Sequence, residues 1–181
     1  STPSVLSTGT YYYSVTDSNG CIVSDSINLT SPSPITVNPI ITNVLCKDES
    51  NGSIILNTSG GTSPYNEDFG GTINPLSLSA GTYPFTITDL NGCTFSDNIT
   101  ISEPDSLLAT SSTTDATCGG YSDGTASLII NGGTLPYLTD WGLSNPSALN
   151  AGIHTYIVTD NNNCIAQGSI LINEPPSMQI I

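Results

Sequence analysis

Five cysteines, at positions 21, 46, 93, 118 and 164, are the side chains of this 181-residue chain best suited to covalent chemistry. Cys21 to Cys93 and Cys46 to Cys118 are each 72 residues, and Cys93 to Cys164 is 71, so the cysteines form two classes with one period. Cys21, Cys93 and Cys164 each end a polar turn, TDSNGC (16–21), TDLNGC (88–93) and TDNNNC (159–164). Cys46 and Cys118 each precede a strand-like run. No CxxC motif or Cys–His cluster accompanies them and the sole histidine is His154, so they do not read as a zinc site. The carboxylate pairs Glu67–Asp68 and Glu103–Asp105 do not read as a glycosidase acid and base. Neighbours on a strand point to opposite faces, and no cleft-forming insertion is visible. No glycine-rich phosphate loop opens a helix. No catalytic residue is assigned and the chain does not read as an enzyme.

Composition narrows the class. Fifteen acidic residues stand against a single basic one, Lys47, for a net charge of -14. Nucleic acid is not an expected partner, because neutralising phosphates requires Lys and Arg. Only 9% of residues are charged, and the abundance of Ser, Thr, Asn and Gly with scattered Ile and Val suits half-solvated strands. No run of about eighteen apolar residues occurs, so no membrane insertion is expected in this segment. No N-terminal signal pattern is visible. Since the chain opens inside a repeat, a targeting segment is expected upstream.

The elements that must position the cysteines repeat with them. The same step links GGTSPY (60–65) to GGTLPY (132–137), AGTYPFTITD (80–89) to AGIHTYIVTD (151–160), and the EP pair at 103 to that at 174. The domains expected are the C-terminal part of one repeat (1–34), two complete repeats (35–104 and 105–175), and the first strand of a further one (176–181). Within a repeat the apolar period is two. Ile54, Leu56 and Thr58 share a face, as do Tyr83, Phe85 and Ile87, and Phe95, Ile99 and Ile101 with Asp97 interrupting. Six or seven such segments in about 72 residues, the last two joined by an Asn-Gly turn, predict an all-β chain of immunoglobulin-like (PKD-like) antiparallel sandwiches, head to tail. Tyr83 stands where such folds place a tyrosine corner, with Tyr11 and His154 at equivalent positions. Pro84 is awkward in a strand, because it cannot donate to a ladder; a bulge or the start of pairing would accommodate it.

A strand, GGTxPY, a further strand, then AGTYxFTITDxNGC followed by TITISEP resembles the SprB-type repeat of gliding-motility adhesins and other giant surface proteins exported by the type IX secretion route. The resemblance covers essentially the whole chain. Three departures are local: Asn163 for the turn glycine, His154 for the corner tyrosine, and the short connection GGTIN (70–74). The resemblance implies an extracellular, bacterial cell-surface adhesin or filament built from tandem domains, with neighbouring repeats as its immediate partners.

In an exported β protein, two regularly spaced cysteine classes imply disulfides. Pairing within a repeat would join Cys46 to Cys93 and Cys118 to Cys164, stabilising each small domain by about 4 kcal/mol on the loop-entropy model. Strand direction favours another pairing. In an immunoglobulin-like sandwich the first loop and the last turn lie at opposite poles, about 26 Å apart across an eight-residue strand, against a limit of ~7 Å between bridged Cα atoms. Head to tail, the first-loop pole of one domain meets the last-turn pole of the next. The preferred pair is therefore Cys46 with Cys164, with the partners of Cys21, Cys93 and Cys118 outside the segment. A reversal of the later strands by the GGTIN connection would put both classes at one pole.

Other ligands read more weakly. Asp48, Glu49 and Asp160 are calcium candidates if the poles adjoin, although Asp17, Asp89 and Asp160 also suit Asx capping of their own turns. No other cofactor is expected. Ser26 and Ser106, in DSI and DSL, resemble the Asp-Ser-aliphatic O-glycosylation acceptor of bacteria that carry this repeat family, and Asn28 and Asn98 open general Asn sequons. A stalk or filament segment is the expected role. The rivals are a carbohydrate-binding module that grips surface polysaccharide through Tyr65, Phe69, Tyr137 and Trp141, and a filament assembled by lateral self-association, which the net charge opposes.

Overall fold

The computed structural model describes residues 5–71 and 73–176, and among these there is no helix. The chain is all-β. The strand expected at 176–181 falls, apart from its first residue, outside the described residues. Strands β1 (Gly9–Thr16) and β2 (Ile22–Leu29) form one antiparallel hairpin. The next repeat supplies β3 (Thr36–Thr42), β4 (Ser53–Ser59), β5 (Asn66–Asp68), β6 (Gly81–Thr88) and β7 (Thr94–Ile101). The last supplies β8 (Leu108–Thr114), β9 (Thr125–Asn131), β10 (Leu138–Asp140), β11 (Gly152–Thr159) and β12 (Ile165–Ile172). Each of these two repeats has a two-stranded sheet, β3–β4 or β8–β9, and a three-stranded sheet, β5–β6–β7 or β10–β11–β12.

The period-two pattern explains why two sheets meet. Ile54 and Leu56 of β4, Phe85 and Ile87 of β6, and Ile99 and Ile101 of β7 are buried in one core. Tyr156, Val158, Ile170 and Ile172 anchor the second core, around Leu149 and Ala116. Burial comes from the facing sheet rather than from the strand pattern itself. Tyr13 and Val15 of β1 occupy the places of Phe85 and Ile87, yet are 51% and 64% exposed against 4% and 0%.

Five strands form where six or seven segments were expected. The stretch from Gly70 to Ala80 is rich in Gly, Pro and Ser and retains a single bridge, Gly52 to Leu78, matched by Gly124 to Leu149. Pro84 needs no bulge. It lies opposite Asn98 in a regular ladder, and β5 runs alongside β6 only at residues 86–88, so at Pro84 the strand is paired on one side and a missing N–H is tolerated.

The motif GGTxPY is a clamp on the chain entering each repeat. Gly61 N–H donates to Ser33 O at 2.7 Å and Gly133 N–H to Asp105 O at 2.9 Å. Tyr65 and Tyr137 close the same turn by donating to Gly60 O and Gly132 O. Gly60 and Gly132 have φ of 75° and 71°, and a Cβ there would stand 2.0 Å from the carbonyl oxygens of Pro34 and Ser106. At the opposite pole Val44 N–H donates to Ser102 O and Ala116 N–H to Asn173 O, so the ends of β3 and β7, and of β8 and β12, lie together. The first loop and the last turn of a repeat therefore occupy opposite ends.

Two stability outcomes follow from this packing. Thr58 Oγ1 is buried without a hydrogen-bond partner, and the next repeat places Ile130 at the equivalent position. Thr58→Val is expected to stabilise its repeat by ~1 kcal/mol by removing a desolvated hydroxyl, read as slower amide exchange in β4 and β6. Gly60→Ala is expected to cost ~3 kcal/mol or more, since backbone strain and a clash with backbone combine, read as a lowered denaturation midpoint of the same strands.

Candidate functional site

The geometry with most functional content lies where two repeats meet. Asp160 opens the last turn of its repeat and is 4% exposed. Its Oδ1 accepts from Asn162 N–H at 2.8 Å and Cys164 N–H at 2.9 Å, and its Oδ2 from Thr134 N–H at 2.8 Å. One carboxylate thus shapes the turn and ties it to the glycine clamp. Asp89 does the same with Asn91, Cys93 and Thr62, and Asp17 accepts from Asn19 and Cys21. Burial pushes the Asp89 carboxyl upward, but the backbone donors of Cys93, Thr62 and Asn91 more than offset it and hold it below its ordinary value. Asn163, which replaces the turn glycine, keeps its left-handed backbone at φ 66° beside 82° for Gly92, a conformation asparagine tolerates.

The first loop is shaped by different residues. Leu45 N–H donates to Asn51 Oδ1 at 3.0 Å, and Thr117 N–H to Asp123 Oδ1 at 2.9 Å. The glutamate of each EP pair reaches into this loop: Glu103 accepts from Asp48 N–H at 2.8 Å, and Glu174 from Gly120 N–H at 2.7 Å. Lys47 donates to Glu103 as well and lies 3.8 Å from Asp48. The Lys47 hydrogen bond, then the Asp48 N–H, holds the Glu103 carboxyl below its ordinary 4.5. The same bond lifts Lys47 above 10.5.

These two poles meet between repeats. Cys46 and Cys164 are joined by a disulfide with Cα atoms 5.6 Å apart, linking residues 118 positions apart in sequence. Beside it Asn162 Nδ2 donates to Leu45 O of the preceding repeat at 3.0 Å and to its own Thr134 Oγ1 at 3.1 Å. Cys164 Sγ lies 3.4 Å from the same Leu45 carbonyl. Cys21, Cys93 and Cys118 are free and exposed. Neither Cys46 with Cys93 nor Cys118 with Cys164 is bridged, because the two classes sit at opposite ends of a repeat.

The remaining sequence-level candidates are scattered. Asp48 and Glu49 are exposed beside the bridge, and Glu49 accepts from Asn51, whereas both oxygens of Asp160 are engaged by backbone N–H groups. Among the described residues no group of three His, Cys, Asp or Glu side chains is placed to hold a metal ion. Ser26 is exposed on β2, and Ser106 is exposed in the chain segment at the junction. His154 takes the corner: its Nε2 bonds Asn150 O at 2.9 Å, as Tyr83 OH bonds Ser79 O and Tyr11 OH bonds Ser7 O. Phe69 is buried, and Tyr65, Tyr137 and Trp141 pack half-buried against the cores, Trp141 with its centroid 5.4 Å from that of Tyr156. The role of Asn162 escaped the sequence reading. Its signal was there, in the asparagine shared by all three turns as Asn19, Asn91 and Asn162.

The SprB repeat family matches residues 38–66 and 110–141, which run in each repeat from the first long strand through the cysteine loop to the glycine clamp. These two segments are similar to the SprB repeat. No curated protein and no solved structure matches the chain. The SprB repeat points to surface-exposed, adhesin-type repeat proteins and is a structural rather than an enzymatic family. In this chain the matched segments contribute the first-loop cysteines but not the TDxNxC turns, so the bridge joins one matched segment to a turn outside the other.

The Lys47–Glu103 pair sets a pH window for the first loop of the middle repeat. Glu103 is depressed when folded, so its contribution is present above pH 4.5 and is lost as pH falls through the lower folded value. Lys47 is raised, so its contribution is present below pH 10.5 and is lost as pH rises through the higher folded value. Protection of the Asp48 amide from exchange is expected to fall in acid in the parent chain. In Glu103→Gln it should be weaker at neutral pH and nearly independent of acid.

Proposed function

We propose that this chain is a segment of the stalk or filament of a repetitive bacterial cell-surface adhesin, exported by the type IX route, whose task is mechanical and which serves attachment or gliding. The sandwich units are residues 35–104 and 105–175, and the chain before them is the C-terminal part of another unit. The observation that carries the reading is the bridge between Cys46 and Cys164. A bond inside one repeat would steady that repeat alone. A bond between two repeats fixes their mutual orientation and gives tension a covalent route that bypasses the folded cores. Disulfides persist in an oxidising, extracellular setting, which supports placement at the cell surface. The aromatic side chains that a polysaccharide site would need pack instead against the two cores, which favours the stalk over the carbohydrate-binding module.

Single-molecule pulling on the whole chain, held at its two ends, tests this. Load entering at one end crosses from residue 46 to 164 through sulfur, so the 118 intervening positions are withheld from extension, about 400 Å at ~3.4 Å per residue. The oxidised chain is expected to reach its contour limit short by that length, and reductant or Cys46→Ser is expected to release it. Full extension of the oxidised chain would sink the reading.

A further inference from the structure

The last turn of the middle repeat is built like the one that grips Leu45 and Cys46, but among the described residues no loop of another repeat is bonded to it. Asn162 uses one amide hydrogen on Thr134 Oγ1 and the other on the neighbour's Leu45 O. Asn91 uses one on Thr62 Oγ1, at 3.0 Å, and its second has no acceptor among the described residues. Behind each asparagine the same buried aspartate fixes the turn, Asp89 being 5% and Asp160 4% exposed. Each turn then presents a cysteine, bridged at 164 and free and exposed at 93. Donor, scaffold and sulfur are thus all present twice, and in one instance the occupant is seen.

We infer that Asn91 and Cys93 form a binding socket for the first loop of another repeat of this kind. Its ligand is a cysteine whose preceding peptide carbonyl is exposed, held in a turn like that of Cys46, where Glu49 N–H donates to Cys46 O. The carbonyl docks on Asn91 Nδ2, and the Cys93 thiolate then attacks a mixed disulfide carried on the ligand cysteine, forming the new disulfide as the small thiolate leaves. The inference rests on the junction reading above, and it adds that recognition precedes the covalent bond and belongs to the polar turn. It also ranks the free cysteines. Cys93 closes a last turn and is a socket. Cys118 lies on a first loop and is a ligand rather than a socket.

The probe is the synthetic peptide NVLCKDESN, the sequence of residues 43–51, carried as its mixed disulfide with 5-thio-2-nitrobenzoate and presented to the whole oxidised chain. A protein thiolate attacks the peptide sulfur, a new disulfide forms, and the coloured thiolate leaves, with no net oxidation. Peptide mapping is expected to show Cys93 coupling about tenfold faster than Cys118, the scale of one well-placed hydrogen bond at a docking site. Asn91→Ala should erase that preference while Cys93 stays accessible to a small thiol reagent. Equal rates at Cys93 and Cys118, or a preference that survives Asn91→Ala, would overturn the socket. Cys46→Ser separates the two readings because it frees the Cys164 thiol, while Leu45 O still competes for Asn162. Selection of Cys164 but not Cys93 would reject the socket at Asn91 and leave the junction intact. Selection of neither would likewise reject the socket at Asn91.

Discussion

A single buried carboxylate at the head of each last turn is the constraint from which the rest of the junction follows. Asp89 and Asp160 each gather three backbone N–H groups, two from their own turn and one from the glycine clamp across the sandwich. A carboxylate withdrawn from water is tolerated only when its lone pairs are met by donors in this way. Because one donor comes from a different part of the repeat, the turn cannot move without the clamp. The clamp in turn grips the chain entering the repeat. Cysteine, asparagine and entering chain are thereby held at one end as one rigid group.

The other end is organised by a second carboxylate, the glutamate of the EP pair. It follows the last strand and reaches back to the first loop, so the exit of a repeat and its cysteine loop share a pole. Joining exit to entrance then brings a first-loop cysteine to a last-turn cysteine without any long connection. Repeats that share these two poles therefore suffice to specify the junction, since both complete units carry a first-loop cysteine and a last-turn cysteine. The strong negative charge has its one cationic counterpart there, Lys47, which Glu103 holds beside the bridge.

Tolerance to substitution follows the same logic. Asn163 replaces glycine where only a left-handed backbone is needed, and asparagine supplies it. His154 replaces tyrosine where only a donor to a carbonyl four residues upstream is needed, and an imidazole nitrogen reaches it. Gly60 and Gly132 are under a stricter requirement, because both a positive φ and the absence of a side chain are imposed by the passing backbone. The positions with the least freedom are those where another segment of chain closes in.

Much of this was legible before any coordinates. The 72-residue period, the strand faces of Ile54, Leu56, Phe85, Ile87, Ile99 and Ile101, and the Asx turns are local or periodic properties, and such properties are written directly in residue order. The opposite placement of the two cysteine classes was expected from strand direction, on the condition that the connection at 70–74 did not reverse the later strands. Tertiary structure decided what depends on meetings between distant segments. It reduced the connection before β6 to a single bridge, and it left Pro84 on the half of β6 that has no second neighbour. It turned GGTxPY from an apparent loop into a clamp, and it assigned the shared asparagine to the carbonyl of the preceding repeat. Each of those outcomes rests on a hydrogen bond or contact across many residues, 117 of them between Leu45 and Asn162. No local pattern encodes the partner of such a bond, because the partner exists only once two folded surfaces face each other.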